Sequence, residues 1–336
     1  MITTTWVVSL AALLPAWADD DAANAPKVDL RRIWDAAPHN AFTGLARFQN
    51  RWYCAFREGT GHVSADGALR VIASDDGQTW ESVARMERPG EDLRDAKLTL
   101  TSDGRLMLVG AVCLDVPSRK HHQSYVWTSE NGTDWSDAVP IGELDDWLWR
   151  VTWHDGRAYA VGYGGEAARR RLRLYDSDDG RAFRTLVDHL DVGGFPNEST
   201  LGFEPDGQAL CLVRRDPESK SDPATATAML GKARAPYTEW TWTDLGRRIG
   251  GPDLSRLSDG RWVAGVRLYD GGPVRTSLCW LDPDSGRLTE WVTLPSGGDC
   301  SYPGLVEHDG TLWVSYYSSH EGKAAIYLAR VPIPAK

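Results

Sequence analysis

From residue 28 onward the chain alternates short apolar runs with polar turns, and the pattern repeats. A two-residue turn followed by an apolar strand-like run recurs six times: Gln49-Asn50 before RWYCAFR, Asp103-Gly104 before RLMLVGA, Asp155-Gly156 before RAYAVGY, Asp206-Gly207 before QALCLVR, Asp259-Gly260 before RWVAGVR and Asp309-Gly310 before TLWVSYY. Asp-Gly between apolar runs favours a two-residue hairpin, because that turn needs φ > 0 and glycine reaches it at little steric cost. The runs begin at Arg51, Arg105, Arg157, Gln208, Arg261 and Thr311, in steps of 54, 52, 51, 53 and 50 residues.

A second repeat keeps phase with the first. Ser74-Asp75-Asp76-Gly77-Gln78-Thr79-Trp80 is echoed at Ser129 to Trp135 and at Ser177 to Phe183, with Asp284-Ser285-Gly286 before Trp291 as a remnant. In such a box the acidic or amide side chain satisfies turn N–H groups, the glycine allows the bend, and the aromatic buries between sheets. A period near 50 residues with several short strands and no helical pattern predicts an all-β six-bladed β-propeller of four-stranded antiparallel blades. Residues 28–34 precede the first unit and are expected to supply the outer strand of the last blade, removing an exposed edge. The sixteen tryptophans suit the wedge-shaped gaps between blades.

Charge narrows the partners. With 37 Lys+Arg against 47 Asp+Glu, a net charge of −10 disfavours nucleic acid and anionic membrane as partners. Trp6 to Ala16 is almost wholly apolar and too short to span a bilayer. With Ala16-Trp17-Ala18 as a small-x-small site, residues 1–18 read as a secretory signal, although no Lys or Arg precedes Lys27. The expectation is a single propeller domain over 19–336 in a secreted or periplasmic protein. Cys54, Cys113, Cys211, Cys279 and Cys300 are odd in number, without a Cys-x-x-Cys, and read as buried free thiols. No metal-ligand cluster is evident, and His121-His122 reads as a solvated pair. No metal or cofactor is expected.

Propeller symmetry brings equivalent positions together around one axis. Six residues past the start of each run stand Arg57, Ala111, Tyr163, Arg214, Arg267 and Tyr317. Three arginines in one register would converge on a common mouth. In the strand before each turn, eight residues ahead of the turn aspartate, lie Asp95 in the second repeat and Glu198 in the fourth, with Ser301 in the sixth beside Tyr302. Carboxylates and a phenol facing one channel suit acid–base and nucleophilic chemistry.

These residues resemble the sialidase (neuraminidase) superfamily over nearly the whole chain after residue 18. Phe56-Arg57 closes a first-blade strand, Glu198 precedes Arg214, Arg267 follows a blade later, and Tyr302 opens the last blade in DCSYPGL. The resemblance implies an exo-glycosidase for terminal sialic or related ulosonic acids, retaining, with Arg57, Arg214 and Arg267 gripping the substrate carboxylate. It makes Tyr302 the nucleophile and Glu198 its base; a neutral phenol escapes repulsion by a carboxylate on the anomeric carbon. The general acid stays open among His62, Asp66 and Asp95, the resemblance making Asp95 a substrate contact. The partner is then a sialoglycan or another acidic-sugar glycan. Two alternatives are a propeller glycosidase or lyase on a different acidic polysaccharide and a non-catalytic carbohydrate-binding propeller.

Overall fold

The computed structural model describes residues 26–116, 118, 120–164, 171–217 and 226–336; the expected signal at 1–18 lies outside them. Within the described residues twenty-four strands form six four-stranded antiparallel sheets, as the repeat predicts. The innermost strands are β2 (His39–Phe48), β6 (Asp92–Leu100), β10 (Asp146–His154), β14 (Phe195–Phe203), β18 (Ile249–Arg256) and β22 (Cys300–His308). The sixth sheet is completed by β1 (Asp29–Trp34), which pairs antiparallel with β24 (Ala325–Pro332), so the ring closes through the segment expected to close it.

The boxes act as read from sequence. The Asp76 carboxylate accepts from the N–H groups of Gln78 and Thr79 at 2.7 and 2.9 Å, and Ser74 Oγ accepts from Gly77 N. Asn131 and Asp179 repeat the arrangement. Gly132 has a second reason to be glycine: a Cβ there would lie 2.3 Å from the Tyr53 hydroxyl of the neighbouring blade. Aromatic pairs fill the gaps between blades, as where Trp52 stacks on Trp313 at 4.0 Å between the first and last sheets. All five cysteines are buried and free.

Three details differ from the sequence reading. The two-residue turns hold in blades 1, 3 and 6, where both turn residues have positive φ. In blades 2, 4 and 5 only the glycine does, and the turn closes over a longer loop, as between Thr101 and Arg105. His121 and His122 are not a solvated pair: His122 is buried against Trp147, while His121 reaches the Asp145 carboxylate at 3.1 Å. Finally, every innermost strand carries an irregularity two residues long at the same depth, at 42–43, 95–96, 149–150, 197–198, 251–252 and 302–303.

Candidate active site

That shared bulge turns side chains into the mouth. Phe42, Asp95 and Tyr302 sit there with φ of 64°, 56° and 54°, and Ser301 with 88°. Left-handed backbone at non-glycine residues is strained and concentrates at functional sites. Trp149 holds the same first bulge position in blade 3, and Glu198 the second bulge position in blade 4.

Tyr302 is the hub. Its hydroxyl donates to Glu198 Oε1 at 2.6 Å and accepts from Arg214 Nη1 at 3.1 Å, while the same Nη1 lies 2.8 Å from Glu198 Oε1. Gly251 N–H donates to Glu198 Oε2 at 2.7 Å. Arg267 lies over the Tyr302 ring, 5.0 Å from its centroid, and Phe42 and Trp149 meet it edge-on. Tyr302 and Glu198 are each 7% exposed. Burial raises the Tyr302 phenol well above its ordinary value and the Glu198 charge adds to this, against the pull of Arg214 and Arg267. Burial would also raise Glu198, but the Arg214 charge and the bonds from Arg214, Tyr302 and Gly251 outweigh it and hold the carboxyl below its usual range. The pair is therefore a neutral phenol donating to a carboxylate.

Asp95 stands in the same pocket. It is 7% exposed, and its Oδ1 is buried without a hydrogen-bond partner. Burial pushes its carboxyl up and Glu198 adds to this, with Arg94, Lys97 and His62 pulling the other way. Beneath lies a floor of charge. Lys97 donates to Thr43 O at 2.9 Å and sits 4.8 Å from the Trp149 ring centroid, and Arg150 pairs with Asp253 at 3.3 Å. Further along the inner strands a cavity of about 150 Å³ is lined by Lys97, Arg150 and Asp253.

The rim adds a network that sequence reasoning missed. Asp299 Oδ2 accepts from His62 Nδ1 at 2.8 Å and from His39 Nε2 at 3.2 Å, while its Oδ1 accepts from Tyr317 OH at 2.6 Å and faces Arg267 Nη2 at 3.3 Å. Burial opposes ionisation of Asp299, but the bonds from His39, His62 and Tyr317 hold its carboxyl far below the usual range. Arg94 donates to His62 O at 2.6 Å and reaches toward His62 Nε2 at 3.5 Å. Two imidazoles and a carboxylate thus come within 4.8 Å, a grouping that sequence spacing alone did not suggest. Arg94 and Arg267 stand beside this group, and His39 Nδ1 is buried without a hydrogen-bond partner.

The predicted residues divide. The structure brings Tyr302, Glu198, Asp95, Arg214 and Arg267 together, with His62 at the rim. Arg57 stands apart: it has no exposed surface, its Nε pairs with the equally buried Asp92 at 2.7 Å, and its other nitrogens donate to Gly61 O and Ser64 Oγ. Asp66 is also apart, capping its own loop by accepting from Thr60 N and Oγ1. The equivalence of the arginines needs correcting as well. Arg57, Arg215 and Arg267 each pair with the residue just before the bulge, whereas Arg214 stands opposite the bulge, one place on. Likewise Gly162, not Tyr163, is the third-blade equivalent. The adjacency of Arg94 to Asp95 and of Asp299 to Tyr302 was the available signal for the missed members.

Neither a protein-family model nor a curated protein matches the chain. Solved structures do. A Dyadobacter fermentans protein of unknown function superposes with a TM-score of 0.77 at 19% identity, over 91% of this chain and 99% of that one. The Penicillium chrysogenum α-L-arabinanase complexed with arabinobiose gives 0.68 at 14% identity, over 90% and 98%. Trypanosoma rangeli sialidase in complex with sialic acid gives 0.67 at 11%, over 91% and 59%. At these identities the likeness is one of fold: a six-bladed propeller shared with glycosidases.

Proposed function

We propose that this chain is a retaining exo-glycosidase acting on a terminal acidic sugar. The observation that carries the reading is the 2.6 Å bond from the Tyr302 hydroxyl to an ionised Glu198, made inside a pocket that also holds Arg214 and Arg267. In the first displacement Tyr302 Oη attacks the anomeric carbon as its proton passes to Glu198, while Asp95, kept toward its neutral form, protonates the departing glycosidic oxygen. In the second, Asp95 as carboxylate deprotonates a water that displaces the phenol, which recovers its proton from Glu198. Two displacements give retention. Arg214 and Arg267 supply the positive field for a sugar carboxylate. His62, held at Nδ1 by Asp299 and facing Arg94 at Nε2, is a rim contact rather than the acid.

A second reading, a hydrolase of a neutral furanoside, draws on one observation: Arg57 is committed to Asp92, leaving two of the three expected arginines at the site. The fold shared with the arabinanase is compatible with it. Export through residues 1–18 is part of the proposal, and amino-terminal sequencing of the mature protein would check it.

The test is fluorophore release from an aryl α-sialoside and an aryl α-L-arabinofuranoside. Turnover of the sialoside that falls by ~10²- to 10⁴-fold in both Tyr302→Phe and Asp95→Asn is expected. Turnover of the arabinofuranoside alone favours the second reading, and hydrolysis insensitive to Tyr302→Phe sinks the mechanism.

A further inference from the structure

The arginines around Tyr302 are already engaged. Arg214 gives Nε and Nη2 to Asp216 and Nη1 to Glu198 and Tyr302. Arg267 gives Nε to Cys300 O and Nη2 to Asp299 and Tyr317 OH. Arg94 pairs with Asp92, and Arg150 with Asp253. Their charges shape the field, but few of their donors remain for a ligand.

Arg248 is different. It is half-buried, and its guanidinium lies over the ring of Tyr269, 4.4 Å from guanidinium carbon to centroid. Among the described residues no hydrogen bond or ion pair engages the guanidinium, and its Nε is buried without a partner. An unpaired, half-desolvated guanidinium is costly for the protein alone and well suited to an incoming anion.

Its place follows from the ladder. In blade 5, Gly250 of β18 pairs with Arg267 and Ile249 with Leu268 on β19 (Trp262–Leu268), so continuing the register sets Arg248 opposite Tyr269. Residues two apart share a face, which puts Arg248, Gly250, Arg267 and Tyr269 on one face of the blade. Gly250 leaves room for the tyrosine: a Cβ there would be 2.8 Å from the Tyr269 hydroxyl. That hydroxyl lies 3.5 Å from Arg267 Nη1. Arg267, Tyr269 and Arg248 therefore step outward from the Tyr302 ring to the rim.

We propose that Arg248, braced on Tyr269, is the principal carboxylate anchor of the site, taking the part that Arg57 cannot. Resting on the acidic-sugar reading, this names the group that makes the hydrogen bonds: a planar guanidinium binding a sugar carboxylate through two parallel N–H donors.

The experiment is calorimetric titration with N-acetylneuraminic acid, D-glucuronic acid and the methyl ester of each, against wild type, Arg248→Ala, Arg248→Lys and Tyr302→Phe. Wild type is expected to bind at least one acid ~10-fold or more tightly than its ester, with the preference shrinking as salt rises. Arg248→Ala should erase that preference, Arg248→Lys should restore part of it, and Tyr302→Phe should keep it. An alanine variant that still prefers the acid, or a wild type that prefers neither, overturns the assignment. The catalytic reading is judged separately. Sialoside turnover indifferent to Arg248→Ala sinks only the anchor, and Arg248-dependent binding without turnover of either aryl glycoside sinks only the glycosidase.

Discussion

Lys97 shows how the pocket trades stability for chemistry. Its ammonium lies wholly inside the protein, between Thr43 O and the rings of Trp149 and Tyr302. Burial, helped by the charge of Arg150, brings it down to about 7, whereas in the unfolded chain it titrates near ~10.4. Between those values the unfolded state holds a proton that the native state has released, so stability rises with pH above 7 and is flat for this group below it. The buried thiols of Cys54 and Cys279, raised to about 12, act oppositely, but only once free thiols ionise above ~8.5. Asp95, whose carboxyl burial raises, acts oppositely up to its native value, so the Lys97 contribution is read as a difference: between pH 7 and 8.5 wild type is expected to gain more stability than Lys97→Met. Urea unfolding at three pH values measures both slopes; equal slopes would remove Lys97 from the account.

At the scale of strands, what was legible and what was not have the same origin. Turn chemistry, apolar runs and the boxes depend on local rules, so blade number, strand order and the closing role of β1 could be read from the chain. Facing could not be read to the residue, because one inserted residue turns every later side chain to the other face. In blade 4 the inner strand runs one residue longer between its bulge and its turn than in blades 2 and 5, which turn the same way, so Arg215 falls before the bulge and Arg214 opposite it, within reach of Glu198. Arg57 failed for another reason: Asp92 is far from it in sequence and its partnership is invisible there. The bulge also presses neighbouring backbones together. At Gly44, just past the bulge of β2, a Cβ would lie 2.8 Å from both Leu98 N and Lys97 Cα of β6. Those obstacles are backbone and cannot swing aside. Gly44→Ala is expected to destabilise by about 1–3 kcal/mol, whereas Gly104→Ala meets nothing within 4 Å and is limited to the strain of its φ of 82°. Denaturation midpoints would show whether contact or conformation governs, and equal losses would refute the contact argument.

Closure of the ring ties the whole molecule to the site. The last sheet combines β22 and its two successors with β1, the strand nearest the start of the described chain, and β22 carries Tyr302. The next blade begins at His39, and Thr43 Oγ1 donates to Tyr302 O at 3.0 Å while Ser315 Oγ donates to Thr43 Oγ1 at 2.9 Å. The seam sealed by β1 thus runs beside the nucleophile. The seal itself is made by the β1–β24 ladder and by Val28 and Leu30 packing on a core that includes Val314, Tyr327 and Val331. The ion pair from Asp29 to Arg330 is part of it but about 40% exposed on the aspartate side, and such pairs contribute only ~0–1 kcal/mol. Removing residues up to Trp34 should therefore lower the melting temperature, broaden the transition and abolish catalysis, although no residue of the pocket has been deleted. Asp29→Ala should leave melting and turnover close to wild type. Calorimetry with activity on the same samples separates the two, since a truncated chain that melts cooperatively and still turns over would mean that the ring holds its site without a closed seam.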